Sequence, residues 1–347
     1  MTSAIGSRFG CALLLSIAGL ASPPAFAQGE VNVYTTREPG LIQPLLDAFA
    51  QETGIKANTI FVESGLGERL EAEGANSPAD VISVVDYGNL IDLVERGLTQ
   101  ETDSAVLDAA VPESLRDPGG HWYALSMRAR VVYAAKDRVE ETALTYEDLA
   151  DPKWKGRVCI RSGQHPYNTS LFAAMIAKHG AAKTEEYLAG LRANLARTAG
   201  GGDRDVARDI LADICDVGIG NSYYVGLMRS GTGGPEQQAW GDAIRVILPT
   251  FADGAGTHVN ISGAAIAKNA PNRENAEKLL EFLVSPEAQS IYAKANYEYP
   301  VLAGAEIDPI IDELGELTID PLSLGEVAKH RKEASTLVDK VGFDQET

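Results

Sequence analysis

The sequence has few of the residues on which thiolate-metal, disulfide-rich or nucleic-acid-binding proteins depend. It contains 3 cysteines, 5 histidines and 30 lysines or arginines, against 49 aspartates and glutamates, in 347 residues. A formal charge of −19 repels nucleic-acid phosphates and anionic lipid headgroups, which makes DNA, RNA and acidic membranes poor partners. It also has no zinc-spaced cluster, Gly-x-Ser-x-Gly elbow, His-Glu-x-x-His motif or Walker loop. These absences weaken the case for an enzyme and favour a binding protein.

The N-terminal segment has the pattern of a secretory signal peptide. Arg8 is the only charge in residues 1–27, an apolar run covers residues 11–20, and the segment ends in Ala-Phe-Ala. The run is too short to span a bilayer, and no later segment stays apolar over the length that a membrane helix needs. We therefore predict that residues 1–27 are removed, that Gln28 begins the mature chain, and that the protein is released into the periplasm.

The cysteine count changes when this segment is removed. Cys11 is lost, and Cys159 and Cys215 remain in a compartment where disulfides persist. We predict that these two cysteines pair. The alternative is two buried thiols that never meet.

Short strand-like runs alternate with amphipathic helical stretches along the chain. The pattern predicts strands at 31–35, 56–62 and 80–85 with helices between them, and a second set of the same kind from about 130 to 219. Such βαβ alternation indicates a mainly parallel sheet covered by helices. Two sets predict two α/β lobes.

Three tyrosines follow predicted strands at places where open α/β sheets bind ligands. Tyr223 and Tyr224 come directly after the strand at 217–219, and Tyr167 follows the strand that contains Cys159. The predicted disulfide would hold these strand ends side by side. Three phenolates would balance the charge of a hard ion such as Fe³⁺. The alternative is that these rings are ordinary half-buried packing.

Eight short segments are distinctive in their residues and order. They are Val31-Asn-Val-Tyr-Thr-Thr-Arg37, Ala48-Phe49 with Glu52-Thr-Gly-Ile55, Asn76-Ser-Pro-Ala-Asp-Val81, Arg128-Ala-Arg-Val-Val132, Asp151-Pro-Lys-Trp-Lys-Gly156, Gly220-Asn-Ser-Tyr-Tyr224, Ile261-Ser-Gly-Ala-Ala265 and Asn296-Tyr-Glu-Tyr-Pro300. In these segments the sequence resembles the periplasmic ferric-iron-binding proteins of ABC importers, over essentially the whole mature chain.

The resemblance implies a particular architecture. The expected fold is α/β, a two-lobed periplasmic binding protein of type II with a transferrin-like arrangement and a central, mainly parallel mixed sheet in each lobe. Two hinge strands would cross between the lobes near Arg128 and near Thr257, with iron bound in the cleft. The implied division is an N-lobe of residues 28–128 plus 257–302 and a C-lobe of residues 129–256 plus 303–347.

The resemblance also implies a set of iron ligands. The family's adjacent tyrosine pair falls on Tyr223 and Tyr224, and the third tyrosine of one branch falls on Tyr167. At the histidine position of that branch this sequence has Glu38, which would bind iron directly, bond to it through water, or face solvent. Another branch uses a carboxylate for which Asp86 is the nearest candidate, with a helix N-cap as the alternative.

Two arginines are implied to act beside the iron. Arg128 matches an arginine next to the metal and its bound anion, and Arg37 could join it in holding carbonate or a similar synergistic anion. The alternative for Arg128 is an interlobe salt bridge. Tyr297 and Tyr299 are interpreted as packing near the hinge, and Tyr34 as structural.

The resulting expectation is a monomeric, non-enzymatic receptor that captures Fe³⁺ and delivers it to an inner-membrane ABC permease. Fe²⁺ as the cargo stays open. One alternative is a receptor of the same fold for a small organic anion or amine, with Tyr223 and Tyr224 as a stacking platform. The alternative from another class is an exported hydrolase that uses Glu38, Asp86 or His165.

Overall fold

The computed structural model describes residues 1–2 and 29–346. The predicted signal peptide, with its cleavage point before Gln28, therefore lies almost wholly outside the described residues. Within the described part of the chain, no helix has the length and apolar character needed to cross a membrane.

The element order begins with a β-strand and ends with three α-helices. The β-strands are β1 (Glu30–Thr35), β2 (Lys56–Phe61), β3 (Val81–Val85), β4 (Thr99–Gln100), β5 (Tyr123–Ala135), β6 (Val158–Cys159), β7 (Val217–Asn221), β8 (Ile244–Ile247), β9 (Val259–Ala267) and β10 (Tyr299–Pro300). The α-helices are α1 (Pro39–Thr53), α2 (Leu66–Glu73), α3 (Tyr87–Glu95), α4 (Ala105–Ala110), α5 (Pro166–His179), α6 (Ala181–Ala193), α7 (Asp203–Leu211), α8 (Ser222–Arg229), α9 (Pro235–Ala243), α10 (Arg273–Leu283), α11 (Pro286–Asn296), α12 (Pro309–Asp312), α13 (Leu324–Ala328) and α14 (Arg331–Lys340). Short 3₁₀ turns lie at Gly74–Asn76, Glu113–Leu115, Glu147–Ala150 and Pro152–Trp154.

The strands form one curled mixed sheet in the order β2-β1-β3-β9-β5-β7-β6. β1 is parallel to β2 and β3, and β6 is parallel to β7, as the βαβ alternation predicts. β9 and β5 run antiparallel to their neighbours between these two parallel groups. The molecule is thus an α/β protein of two lobes, each with its own parallel strands.

β5 is the strand that connects the two halves of the sheet. Its first part pairs with β9, and its second part, from Arg130 onward, pairs with β7 and β8. Arg128 lies inside β5 and Thr257 lies two residues before β9, so the two predicted crossing strands are confirmed. The exact lobe boundaries at these residues stay a prediction.

β5 also begins earlier than the sequence predicts. The strand starts at Tyr123 instead of near residue 130, and all 13 of its residues are buried. Ser126, Arg128 and Arg130 stand inside it as buried polar residues. A fully buried strand is recognised in a sequence by a continuous apolar run, and these three polar residues interrupt that run. The sequence therefore does not show the first half of β5.

The predicted disulfide is confirmed. Cys159 and Cys215 are bonded, with their Cα atoms 5.9 Å apart. Cys159 on β6 lies opposite Gly218 on β7, where a Cβ would come within 2.3 Å of the Cys159 carbonyl oxygen. Glycine at 218 thus permits the close approach of the two strands, and their carboxyl ends lie side by side.

Candidate functional site

The three candidate tyrosines all occupy the first turn of a helix that follows one of these strands. Tyr167 is the second residue of α5, whose N-cap His165 accepts a hydrogen bond through Nδ1 from the Tyr167 amide. Tyr223 and Tyr224 are the second and third residues of α8, directly after β7. Helix N-termini carry partial positive charge, which favours phenolate over phenol. The fold thus aims two such N-termini at one place.

The tyrosine side chains form a compact group. The rings of Tyr223 and Tyr224 have centroids 4.1 Å apart with planes inclined by 33°. Burial raises the pKa of Tyr223 well above its ordinary value, and the nearby hydroxyls of Tyr167 and Tyr224 raise it further. Burial likewise raises the pKa of Tyr224, with a further contribution from Tyr167. Without a cation, these two phenols are therefore neutral at pH 7.

Arginines surround the Tyr167 ring. The guanidinium carbon Cζ lies 5.5 Å from the ring centroid for Arg128, 6.0 Å for Arg130 and 5.2 Å for Arg161. The Cζ of Arg204 lies 5.7 Å from the Tyr224 ring centroid. This positive charge would stabilise phenolates and attract an anion.

A buried polar network anchors Arg130 to the helix that carries the tyrosine pair. Arg130 donates from Nη1 to Asp203 at 2.6 Å and from Nη2 to Asn168 at 2.6 Å. Asp203 also accepts a hydrogen bond of 2.9 Å from the backbone amide of Asn221, the N-cap of α8. The N-terminus of α8 is therefore fixed by a buried ion pair.

A second buried cluster joins the loop after β1 to the two crossing strands. Arg37 donates from Nη2 to both carboxylate oxygens of Glu298, at 3.0 and 3.2 Å, and to Ser262. Arg128 donates to the Ser262 hydroxyl and to the Ile261 carbonyl oxygen, each at 3.0 Å, and its Nη1 lies 3.8 Å from Glu298. Arg128 thus forms a buried ion-pair cluster beside the tyrosines.

Glu298 is the residue of this cluster that sequence reasoning missed. It lies inside the segment Asn296-Tyr-Glu-Tyr-Pro300, which was interpreted as packing near the hinge. Burial by itself would raise the pKa of the Glu298 carboxyl, but the charges of Arg37 and Arg128 outweigh it and hold that pKa below its ordinary value. The sequence signal that could have identified it is a single glutamate between Tyr297 and Tyr299. Because packing of the flanking tyrosines would bury this carboxylate, it needs a cationic partner.

The two candidate carboxylates lie in different settings. Glu38 is exposed at the N-cap of α1, and its side chain makes no capping hydrogen bond. Asp86 is the N-cap of α3, where Oδ1 accepts the Gly88 amide at 2.8 Å and Oδ2 accepts from Asn260 at 2.7 Å. The N-cap interpretation of Asp86 is therefore confirmed.

The other singled-out tyrosines have structural roles, as expected. The Tyr34 hydroxyl donates to Glu73 at 2.9 Å. Tyr297 ends α11 with a φ of 56° and packs against Gly226 of α8, and Tyr299 pairs with Met127 of β5. Among the described residues, no group of three or more His, Cys, Asp and Glu side chains could hold a metal ion. Any metal at this site would therefore depend on tyrosine oxygens.

Two α/β lobes, two crossing strands and a polar site between the halves of the sheet define a solute-binding protein of the type II class. Residues 76–314 match the family model described as bacterial extracellular solute-binding protein, and the chain belongs to this family. The family is one of solute-binding proteins and not of enzymes.

The chain is also similar to individual relatives and solved structures. Iron uptake protein A2 of Synechocystis is 40% identical over 331 residues, covering 95% of this chain and 94% of the relative. The Bordetella ferric binding protein superposes with a TM-score of 0.89 at 62% identity, covering 91% of this chain and all of that one (100%). A Trichodesmium protein (IdiA, FutA), solved in complex with iron and citrate, has a TM-score of 0.87 at 41% identity, covering 91% and 100% of the two chains.

Proposed function

We propose that this protein is a periplasmic receptor that captures ferric iron between its lobes through the phenolates of Tyr167, Tyr223 and Tyr224. The observation that carries the proposal is that Tyr167 lies close enough to the stacked pair of Tyr223 and Tyr224 to raise the pKa of both, with Arg128 and Arg161 over the Tyr167 ring. Hard phenolate oxygens suit Fe³⁺, and three of them neutralise its charge. The names of the Bordetella and Synechocystis relatives support the same cargo.

The arginines give the site a place for an anion. Arg128 and Arg161 face the Tyr167 ring, and Arg37, held on Glu298, shares the Ser262 hydroxyl with Arg128. Carbonate or a small carboxylate bound here would complete the coordination of the iron. The exposed carboxylate of Glu38, on the loop after β1, would supply a further oxygen ligand from the N-lobe side.

Export, lobe closure and delivery complete the proposal. The signal-peptide pattern of residues 1–27 directs the chain to the periplasm, where its ferric-binding relative of Serratia marcescens is named as periplasmic. Closure of the lobes, divided at 128–129, 256–257 and 302–303, would exclude water from the iron. The loaded receptor would then deliver its iron to an inner-membrane ABC permease.

A visible-absorption titration of the mature, iron-free protein with ferric citrate tests the proposal. Phenolate bound to Fe³⁺ absorbs visible light, so the wild type should develop a band that saturates at one iron per protein. Tyr223→Phe and Tyr224→Phe should each abolish or strongly weaken the band, and Tyr167→Phe should shift it. Tyr34→Phe is the matched control, because that hydroxyl is bonded to Glu73 away from the site.

A colourless wild type would contradict phenolate coordination. If such a protein still gained thermal stability from an organic anion or amine, the stacked pair of Tyr223 and Tyr224 would be the platform for that ligand instead. Turnover of a substrate that disappeared in Glu38→Ala would favour the hydrolase alternative.

A further inference from the structure

Glu298 is a fully enclosed carboxylate with no surface role. It is 3% exposed and lies between α11 and β10, far along the chain from the groups that bind it. It accepts hydrogen bonds from the Arg37 guanidinium and from the hydroxyl of Ser126 on β5. Its position is thus set by the loop after β1 and by a crossing strand.

The arginines that Glu298 contacts both act electrostatically on Tyr223. The charge of Arg128 lowers the pKa of Tyr223, and Tyr223 is in turn among the groups that raise the pKa of Arg37, although burial acts in the opposite direction on each. Arg37 and Arg128 share the Ser262 hydroxyl as a hydrogen-bond acceptor. One wall of the site therefore carries two guanidinium charges and one carboxylate charge.

The charge of this wall affects the binding of Fe³⁺ and the binding of an anion unequally. Exchange of three phenolic protons for one Fe³⁺ leaves the total charge at the tyrosines unchanged. A fixed charge nearby therefore has little effect on that exchange. An incoming anion has no such compensation and experiences the full potential of the wall.

We propose that Glu298 is a positioning residue that holds Arg37 against Ser262 and cancels one of the two guanidinium charges, so that this wall of the site presents one net positive charge to the anion. This inference rests on the proposed iron-binding function. In this role Glu298 keeps the anion weakly enough bound to be exchanged. The charge of Arg37 is neutralised by Glu298, so Arg37 has a structural role in this wall. Arg128 supplies the positive charge of the wall that attracts the anion.

The test uses the iron-loaded mature protein in carbonate-free buffer, titrated with bicarbonate while the visible band is followed. Glu298→Gln keeps the shape of the side chain and removes its charge. We expect its half-saturating bicarbonate concentration to fall by about tenfold relative to the wild type. Asp216→Asn is the matched control, because Asp216 is also paired with two arginines but lies at the opposite end of β7, and it should leave that concentration unchanged.

The double variant Arg37→Gln with Glu298→Gln separates charge from shape. It restores a net charge of one on the wall and removes both members of the Arg37–Glu298 pair together, so it should destabilise the fold less than the loss of Glu298 alone. We expect its bicarbonate response to lie within about threefold of the wild type, since the potential at the anion is restored. Loss of that response would identify Arg37 as an anion ligand and overturn the proposal.

An unchanged response in Glu298→Gln, accompanied only by a lower melting temperature, would also overturn it and leave Glu298 a packing residue. A wild type with no visible band would instead contradict the proposed function itself. The two failures are therefore distinguishable.

Discussion

At the scale of single side chains, the tyrosines of the site control how iron binding responds to pH. Burial holds the pKa of Tyr223 and of Tyr224 above the ordinary value, so both are protonated in the iron-free protein at neutral pH. Each phenol that coordinates iron must release a proton, and acid therefore competes with the metal. We expect the apparent iron affinity to fall as the pH falls. For each pH unit, the decrease should be up to about tenfold for every coordinating tyrosine that must release a proton.

This prediction is measured by competition against a chelator at several pH values, after correction for the chelator's own protonation. Tyr34→Phe should reproduce the wild-type slope. An affinity independent of pH would show that the bound form of the site does not contain phenolates.

His258 is a buried residue whose titration affects stability rather than binding. Its Nε2 lies 2.7 Å from the Ser170 hydroxyl, and burial, with the charges of Arg130 and Lys178, lowers its pKa to about 3. The unfolded chain binds the proton near pH 6.5, so the stability from neutral His258 is complete above that pH and is lost as the pH falls toward 3. We expect this residue to account for about 2 kcal/mol of lost stability at pH 5.

Urea unfolding at pH 7 and pH 5 measures this loss, and His258→Gln separates it from the contribution of other groups. The variant should be less stable at pH 7 but should lose less on acidification. An equal acid sensitivity of variant and wild type would contradict the assignment.

At the scale of elements, the packing of α8 against the end of α11 holds the tyrosine pair in place. A Cβ at Gly226 would come within 2.3 Å of Cγ and 2.4 Å of Cβ of Tyr297. The position of Cβ is fixed by the Tyr297 backbone, so a change of side-chain rotamer alone cannot relieve the clash. We expect Gly226→Ala to cost roughly 1–3 kcal/mol of stability and to weaken iron binding without removing a ligand.

Thermal unfolding and the iron titration together check this expectation. Gly325→Ala is the matched control, because Gly325 lies within α13 with no atom near its Cβ position. That substitution should be neutral or slightly stabilising. Unaltered iron binding in a destabilised Gly226→Ala protein would separate the packing of α8 from its function.

The disulfide is the second device at this scale. Cys159 and Cys215 are separated by 56 positions in the sequence and tie β6 to the residue that leads into β7. On the chain-entropy model, a loop of this length stabilises the fold by about 4 kcal/mol. We expect the double variant Cys159→Ser with Cys215→Ser to lose roughly that amount in urea unfolding.

Reductant provides the internal comparison. Reduced wild type should approach the unfolding midpoint of the double serine variant, which should itself be unaffected by reductant. Equal midpoints for oxidised wild type and variant would show that the bond adds nothing to stability.

At the scale of the whole molecule, the candidate site takes residues from both halves of the sheet. The Cζ of Arg128 on β5 lies 5.5 Å from the Tyr167 ring centroid, so iron bound here would contact a region that exists only when both lobes are folded. Binding to the folded state alone stabilises by mass action. We expect the melting temperature to rise with iron concentration, by the equivalent of about 2.7 kcal/mol at one hundred times the dissociation constant.

Differential scanning calorimetry with increasing ferric citrate measures this rise. Tyr223→Phe should lose the iron-dependent part while Tyr34→Phe keeps it. A melting temperature that rises equally in both would indicate iron bound elsewhere on this acidic protein.

Local patterns predicted much of this molecule. The alternation of strands and amphipathic helices predicted the parallel strands β1, β2 and β3, because side-chain periodicity depends on local geometry. The predicted place of Tyr223 and Tyr224 directly after a strand is also confirmed, while their role as ligands stays a prediction. The pairing of Cys159 with Cys215 followed from the expected loss of Cys11. The length of β5 was missed, since buried arginines disguise a strand that is enclosed on all sides.

The sequence by itself thus determined the parallel strands of both lobes, the disulfide and the place of the tyrosine pair directly after a strand, because each is encoded by neighbouring residues or by a count. Only the tertiary structure decided what the charges do. It places Arg37 on Glu298, 261 positions away in sequence, and it joins Asp86 to Asn260, 174 positions away. Partners of buried charges are chosen by desolvation, which depends on what surrounds each group and leaves no periodic trace along the chain.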